Sequence, residues 1–150
     1  MSPEILALKA ASDTEALGAA VAGVLRPGDV VCLWGELGAG KTTLARGLIR
    51  ALMGPDEEAP SPTFTLVQIY DSPDLAVAHL DLYRLSGPEE VRELGLEEAL
   101  EQGAAVIEWP ERLGPRLPTD RLDIRLGVEA EGRTARIERH GRWRDRKLEF

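Results

Sequence analysis

Cysteine occurs once in the 150 residues, at position 32; asparagine is missing and glutamine appears only twice. A single cysteine excludes an intrachain disulfide and any cysteine-based metal centre. Cys32 lies within an apolar run and reads as a small buried hydrophobe. Without asparagine there is no Asn-Lys-x-Asp guanine reader, which disfavours GTP as a ligand. The scarcity of thermolabile amides beside abundant charge suggests a thermophilic source. No apolar run approaches the ~18 residues that span a bilayer, and the N-terminus lacks the basic-then-apolar order of a signal peptide. A cytoplasmic location without a membrane partner is therefore expected. A formal net charge of −8 argues against a general nucleic-acid platform, so DNA is not an expected partner.

Against these absences stands one dense motif. Residues 35–42 read Gly-Glu-Leu-Gly-Ala-Gly-Lys-Thr, a complete G-x-x-x-x-G-K-T. The run before it, Val30-Val31-Cys32-Leu33-Trp34, is apolar at successive positions, as in a central parallel strand covered on both faces. The run after it, 44–52, gathers its apolar residues on one side of a helix. Gly35, Gly38 and Gly40 allow the backbone to turn tightly, so that successive amides and the helix N-terminus point at phosphate. Leu37, Ala39 and Thr43 belong to the same cradle. Lys41 is expected to reach the β/γ-phosphates, and the Thr42 hydroxyl to bind Mg2+. A nucleoside triphosphate is thus the expected ligand. A chain of this length buries roughly 68–70 % of its unfolded surface, enough for one P-loop domain over 1–150.

Further along, Ser12-Asp13-Thr14-Glu15 has the form of a capping box and predicts a helix over 13–25. Residues 54–62 are polar and proline-containing, which predicts a mobile surface loop. Strands are expected over 64–70 and 75–81, joined as a hairpin by Asp71-Ser72-Pro73-Asp74. Ser86-Gly87-Pro88-Glu89-Glu90 opens a helix, Gly95 separates it from a second over 96–102, and Gly103 ends that one. A buried strand over 104–108 follows. Pro110, Pro115 and Pro118 punctuate an irregular connection, and 121–128 with 133–139 form a terminal antiparallel hairpin.

A P-loop needs an acid at the end of a neighbouring strand to complete the metal shell. Two are available, Asp81 and Glu108, each at the carboxyl end of an apolar run, the edge where open α/β sheets bind ligands. Thr63, in Ser61-Pro62-Thr63, could present its hydroxyl to Mg2+ or the γ-phosphate as part of a switch segment, or lie in a simple turn. His79 reads as a strand histidine. Trp34 and Trp109 flank the site in sequence, either as core residues or as walls of the pocket. Residues 132–147 carry seven Arg or Lys against two acids, a balance of +5. That stretch is a solvated face or a contact for an acidic partner, nucleotide or RNA. An arginine-bearing lid for a small-metabolite kinase is not apparent, although Arg112, Arg116 and Arg121 could fill that role. A nucleotide-dependent binding module with little hydrolysis is the other alternative.

Four segments in order carry a resemblance: Gly35-Glu36-Leu37-Gly38-Ala39-Gly40-Lys41-Thr42-Thr43, Ser61-Pro62-Thr63-Phe64-Thr65-Leu66-Val67, His79-Leu80-Asp81-Leu82-Tyr83-Arg84-Leu85, and Ile107-Glu108-Trp109-Pro110. Together they resemble the bacterial TsaE (YjeE) family, with Phe64 where that family commonly has Tyr. The resemblance implies an ATPase, weak alone, that assists a TsaD-TsaB pair in making N6-threonylcarbamoyladenosine beside the anticodon of tRNAs. It implies ATP and Mg2+, with Lys41 on the phosphates and Thr42 and Glu108 on the metal. Asp81 would position water or hold the metal's outer shell, Thr63 would act in the switch-like segment, and Arg133 would sit near the nucleotide. The expected fold is a three-layer α/β P-loop NTPase-like domain, its mixed sheet parallel at the centre and antiparallel at the edges. Contact with tRNA would be indirect or through the basic C-terminal stretch.

Overall fold

The computed structural model describes residues 4–62 and 65–149. Its sheet has seven strands: β1 (Glu4–Leu8), β2 (Val30–Trp34), β3 (Val67–Asp71), β4 (Ala76–Asp81), β5 (Gly103–Glu108), β6 (Arg121–Glu129) and β7 (Gly132–His140). They lie in the order β1-β7-β6-β2-β5-β4-β3. The centre, β6-β2-β5-β4, is parallel. Antiparallel pairs close both sides, β3 on β4 and β7 then β1 on β6. Helices α1 (Ala11–Ala22), α2 (Lys41–Met53) and α3 (Leu96–Gln102) complete the layers.

Strand β2 is apolar throughout, and β5 is apolar up to Glu108, because both faces of these strands are covered. Val31, Leu33, Ala104 and Val106 enter one core with α1 and α2, through Leu17, Leu44 and Leu48. Val30, Cys32, Ala105 and Ile107 point the other way, to Leu96 and Leu113. Cys32 is fully buried, and desolvation, then the charge of Asp123, pushes its thiol pKa up. It packs as an uncharged hydrophobe.

Helices α1 and α2 touch through backbone. A Cβ on Gly18 would lie 2.1 Å from the Leu44 carbonyl oxygen, and one on Gly47 would lie 2.2 Å from that of Glu15. Neither carbonyl belongs to a flexible side chain that could move aside. Gly47→Ala is therefore expected to destabilise the fold by about 1–3 kcal/mol through overpacking, despite alanine's better helix propensity; urea unfolding measures it, and an unchanged midpoint would contradict the close crossing.

Several boundaries differ from expectation. Helix α1 starts at Ala11, with Ala10 rather than Ser12 at the N-cap, and Asp13 accepts the Ala10 amide at 2.9 Å. The acid of the motif thus caps the helix two residues earlier than a serine-led box would. Strand β3 starts only at Val67, because Leu66 adopts a left-handed φ of 66° that interrupts extended backbone. Residues Pro88–Leu94 form a 3-10 turn rather than an α-helix, ending at left-handed Gly95 as the glycine predicts. The loop after α2 is pinned: Arg50 Nε donates to the Glu57 carbonyl at 2.7 Å, and Ala59 is buried.

The basic C-terminal stretch is largely spent within the fold. Arg139 pairs with Glu4 at 3.1 Å, and Arg142 reaches the buried Asp29 at 3.3 Å. Arg146 also bonds Asp29 and stacks 4.3 Å over the ring of Trp143. These contacts tie the chain's last segment to the entrance of β2.

Candidate functional site

The sheet order brings three strand ends together. In register, Leu33 of β2 lies beside Glu108 of β5, and Glu108 lies beside Asp81 of β4. The loop leaving β2 therefore faces both acids. Gly40, at the N-cap of α2, has φ 108°, and Gly38 has φ 83°, conformations that a side chain would strain. They let the loop fold over the helix N-terminus, whose free amides and positive dipole end face an open cleft. That cleft, of about 410 Å³, is lined by Leu37, Gly38, Lys41, Thr42, Thr43 and Gly40 on the loop side. Ser61, Asp81, Tyr83, Arg84, Glu108 and Trp109 line the opposite side.

Lys41 is buried, and its ammonium donates to the carbonyls of Gly35 at 2.5 Å and Glu36 at 3.0 Å. It also sits 3.9 Å over the centroid of Trp109. Burial lowers its pKa, against the opposing charges of Glu108, Glu111 and Asp81. Thr42 Oγ1 donates to Glu108 Oε1 at 2.9 Å. Glu108 Oε2 is 2.6 Å from His79 Nε2. Asp81 accepts from the Ser61 hydroxyl at 2.6 Å and from the Tyr83 amide at 3.0 Å. Arg133 donates to the Gly38 carbonyl at 3.2 Å, so the β6–β7 turn abuts the loop.

The structure thus gathers Gly38, Gly40, Lys41, Thr42, Thr43, Leu37, Asp81 and Glu108 around one cleft. Gly35 meets the site through Lys41, Arg133 through Gly38, and Ala39 is buried beneath the loop. Thr63, the expected switch hydroxyl, lies outside the described residues. The hydroxyl of Ser61, in the same segment, donates to Asp81. The two tryptophans part company: Trp34 donates to Asp123 at 2.8 Å, away from the cleft, whereas Trp109 lines it. A left-handed φ of 60° at Trp109 turns the indole under Lys41, where Tyr83 packs against it with centroids 4.9 Å apart. His79, Ser61 and Tyr83 are the site residues that sequence reasoning left unassigned. The i, i+2 spacing of His79 and Asp81, which puts both on one face of a strand, was the available signal for the first.

None of Arg112, Arg116 and Arg121 lines the cleft. Arg121 is held by Asp123 at 3.0 Å and Arg112 by the Leu85 carbonyl. A kinase-like lid has no support from them. The donors near Thr42 are all oxygen: its hydroxyl, the Glu108 carboxylate and, further along the edge, Asp81 and Ser61. Such a set fits Mg2+, a hard cation held by one or two carboxylates together with substrate phosphates. Among the described residues no group of three or more His, Cys, Asp or Glu is placed to hold a metal ion.

A family model described as threonylcarbamoyl adenosine biosynthesis protein TsaE matches residues 8–137. The chain belongs to the TsaE family. A Rickettsia bellii protein named tRNA threonylcarbamoyladenosine biosynthesis protein TsaE is 42% identical over 119 residues, 79% of this chain and 83% of the relative. A Streptomyces coelicolor protein of the same name is 44% identical over 129 residues, 83% of this chain and 84% of its own length. The crystal structure of Bacillus subtilis YdiB superposes with a TM-score of 0.76 at 30% identity, covering 94% of this chain and 89% of that one. The architecture is accordingly the α/β P-loop NTPase-like fold, with the parallel centre and antiparallel edges that the sequence predicts. Such a fold binds nucleotide and Mg2+ generally. Among the described residues no helix is long and apolar enough to cross a membrane.

Proposed function

We propose that the protein is a Mg2+-dependent ATPase of tRNA threonylcarbamoyladenosine biosynthesis, hydrolysing ATP to ADP and phosphate in support of a TsaD-TsaB pair in the cytoplasm. The whole chain serves as one P-loop ATPase domain. The observation that carries the reading is the Thr42–Glu108 hydrogen bond set beside Lys41 and Asp81 in a single cleft. Family membership supplies the pathway.

On this reading the loop amides of 38–43 bind the phosphates, and Lys41 exchanges its carbonyl partners for phosphate oxygens as nucleotide enters. Thr42 and Glu108 would hold Mg2+, which would neutralise phosphate charge when bound. Asp81 orients the attacking water in line with the γ-phosphorus, and Ser61 fixes the carboxylate through its hydroxyl. The water oxygen bonds to phosphorus as the bond to the β-phosphate oxygen breaks. Lys41 and the loop amides meet the charge that spreads onto those oxygens. Arg133, tied to Gly38, steadies the loop from the far side. Most of the cations after Gly132 are already paired, so any tRNA contact by that stretch falls to Arg136, Arg144 and Lys147.

The test is the ATP hydrolysis rate of the purified chain, alone and with a reconstituted TsaD-TsaB pair. Slow turnover that rises severalfold with the pair is expected. A rate unmoved by the pair removes the partnership, and phosphate passing to an added metabolite rather than to water replaces hydrolysis with a kinase activity.

A further inference from the structure

Glu108 is gripped from both sides. One carboxylate oxygen takes the Thr42 hydroxyl at 2.9 Å, and the other lies 2.6 Å from the imidazole Nε2 of His79. His79 is fully buried, on the face of β4 that also carries Val77, and its register partner Val106 lies in the same apolar core under α2. A carboxylate only accepts, so Nε2 carries the shared proton. The other ring nitrogen, Nδ1, is buried and has no hydrogen-bond partner among the described residues. A histidine kept for packing alone would gain by giving way to an apolar residue here, since that change removes the orphaned nitrogen. What the apolar residue could not supply is the donor to Glu108.

We propose that His79 is a positioning residue that locks the Glu108 carboxylate, leaving a single oxygen, Oε1, to face Thr42 and the metal. The terminal torsion of a glutamate is soft and roughly two-fold. Tying Oε2 to a rigid, buried ring removes that freedom and presents Oε1 already aimed. The role parallels the outer partners that orient metal-binding side chains elsewhere. It rests on the reading of Thr42 and Glu108 as the residues that hold Mg2+.

The test is nucleotide affinity titrated with Mg2+ and measured again in excess chelator, a binding readout independent of turnover. His79→Leu fills the buried space without a donor and is expected to weaken the Mg2+ response by about 10–100-fold, with the chelator value within about twofold of wild type. His79→Gln, whose side-chain amide reaches as far as Nε2, recovers most of that loss. On a Glu108→Ala background, His79→Leu adds no further loss, because the group it orients is gone. If His79→Leu does not fold, His79→Asn, polar but too short to reach Glu108, takes its place. A Mg2+ titration unchanged in the folded variant, or an equal loss on both backgrounds, overturns the proposal. A wild type whose affinity ignores Mg2+ removes the metal reading itself and the proposal with it, a result distinct from a responsive wild type matched by His79→Leu.

Discussion

Lys41→Ala is expected to reduce ATP turnover by at least 10²–10³-fold, about 2.7–4 kcal/mol of transition-state stabilisation. The ammonium is held at the mouth of the loop by two carbonyls, of Gly35 and Glu36, and by the face of Trp109. It is buried enough that desolvation lowers its pKa. A cation so placed is preorganised: it meets developing charge on the phosphate without rearranging water, and little solvent screens it. The substitution also relieves the cost of a buried charge, so the thermal midpoint should hold or rise while activity disappears. That divergence separates a lost catalytic group from a lost fold. Lys41→Arg is not expected to rescue, because a planar fork does not reproduce the compact ammonium that fits between the carbonyls of Gly35 and Glu36. Phosphate release at saturating Mg-ATP, beside a melting curve, is the measurement; turnover retained in Lys41→Ala sinks the site assignment.

The loop, α2 and the central strands were legible because their signals are local. Glycine spacing, an apolar run before it and an amphipathic run after it all fall within 25 or so residues of one another. Strand β1 was not legible. Only Leu8 of its five residues is buried, and it exists by pairing with β7 more than a hundred residues away. Asp81 and Glu108 were readable from the ends of apolar runs, but their relation to each other was not. It depends on β5 lying between β2 and β4, an order that no periodicity encodes. The same holds for His79 with Glu108, which sheet register brings into contact, and for Ser61 with Asp81, which meet because the loop after α2 returns to the end of β4. The choice between Trp34 and Trp109 turned on a left-handed backbone at Trp109, where no glycine advertises it.

Glu108→Ala is expected to weaken the Mg2+-dependent part of nucleotide affinity by at least about 100-fold, the upper end of what even indirect metal partners contribute, whereas Asp81→Ala should weaken it far less. The two acids are neighbours in register, yet their oxygens are committed differently. Glu108 shares an oxygen with the Thr42 hydroxyl, so a metal bound there meets both donors at once. Asp81 spends one oxygen on the Ser61 hydroxyl and the other on the Tyr83 amide. It is thereby tied to the segments that face the loop across the cleft rather than to the loop itself. Loss of Asp81 should consequently appear in turnover, through a misplaced water and a released Ser61, more than in metal affinity. The pair is distinguished by titrating Mg2+ against nucleotide affinity and, separately, by following hydrolysis at saturating metal. If Asp81→Ala lost the Mg2+ response and Glu108→Ala kept it, the metal would sit on β4, and the roles assigned to the two carboxylates would have to be exchanged.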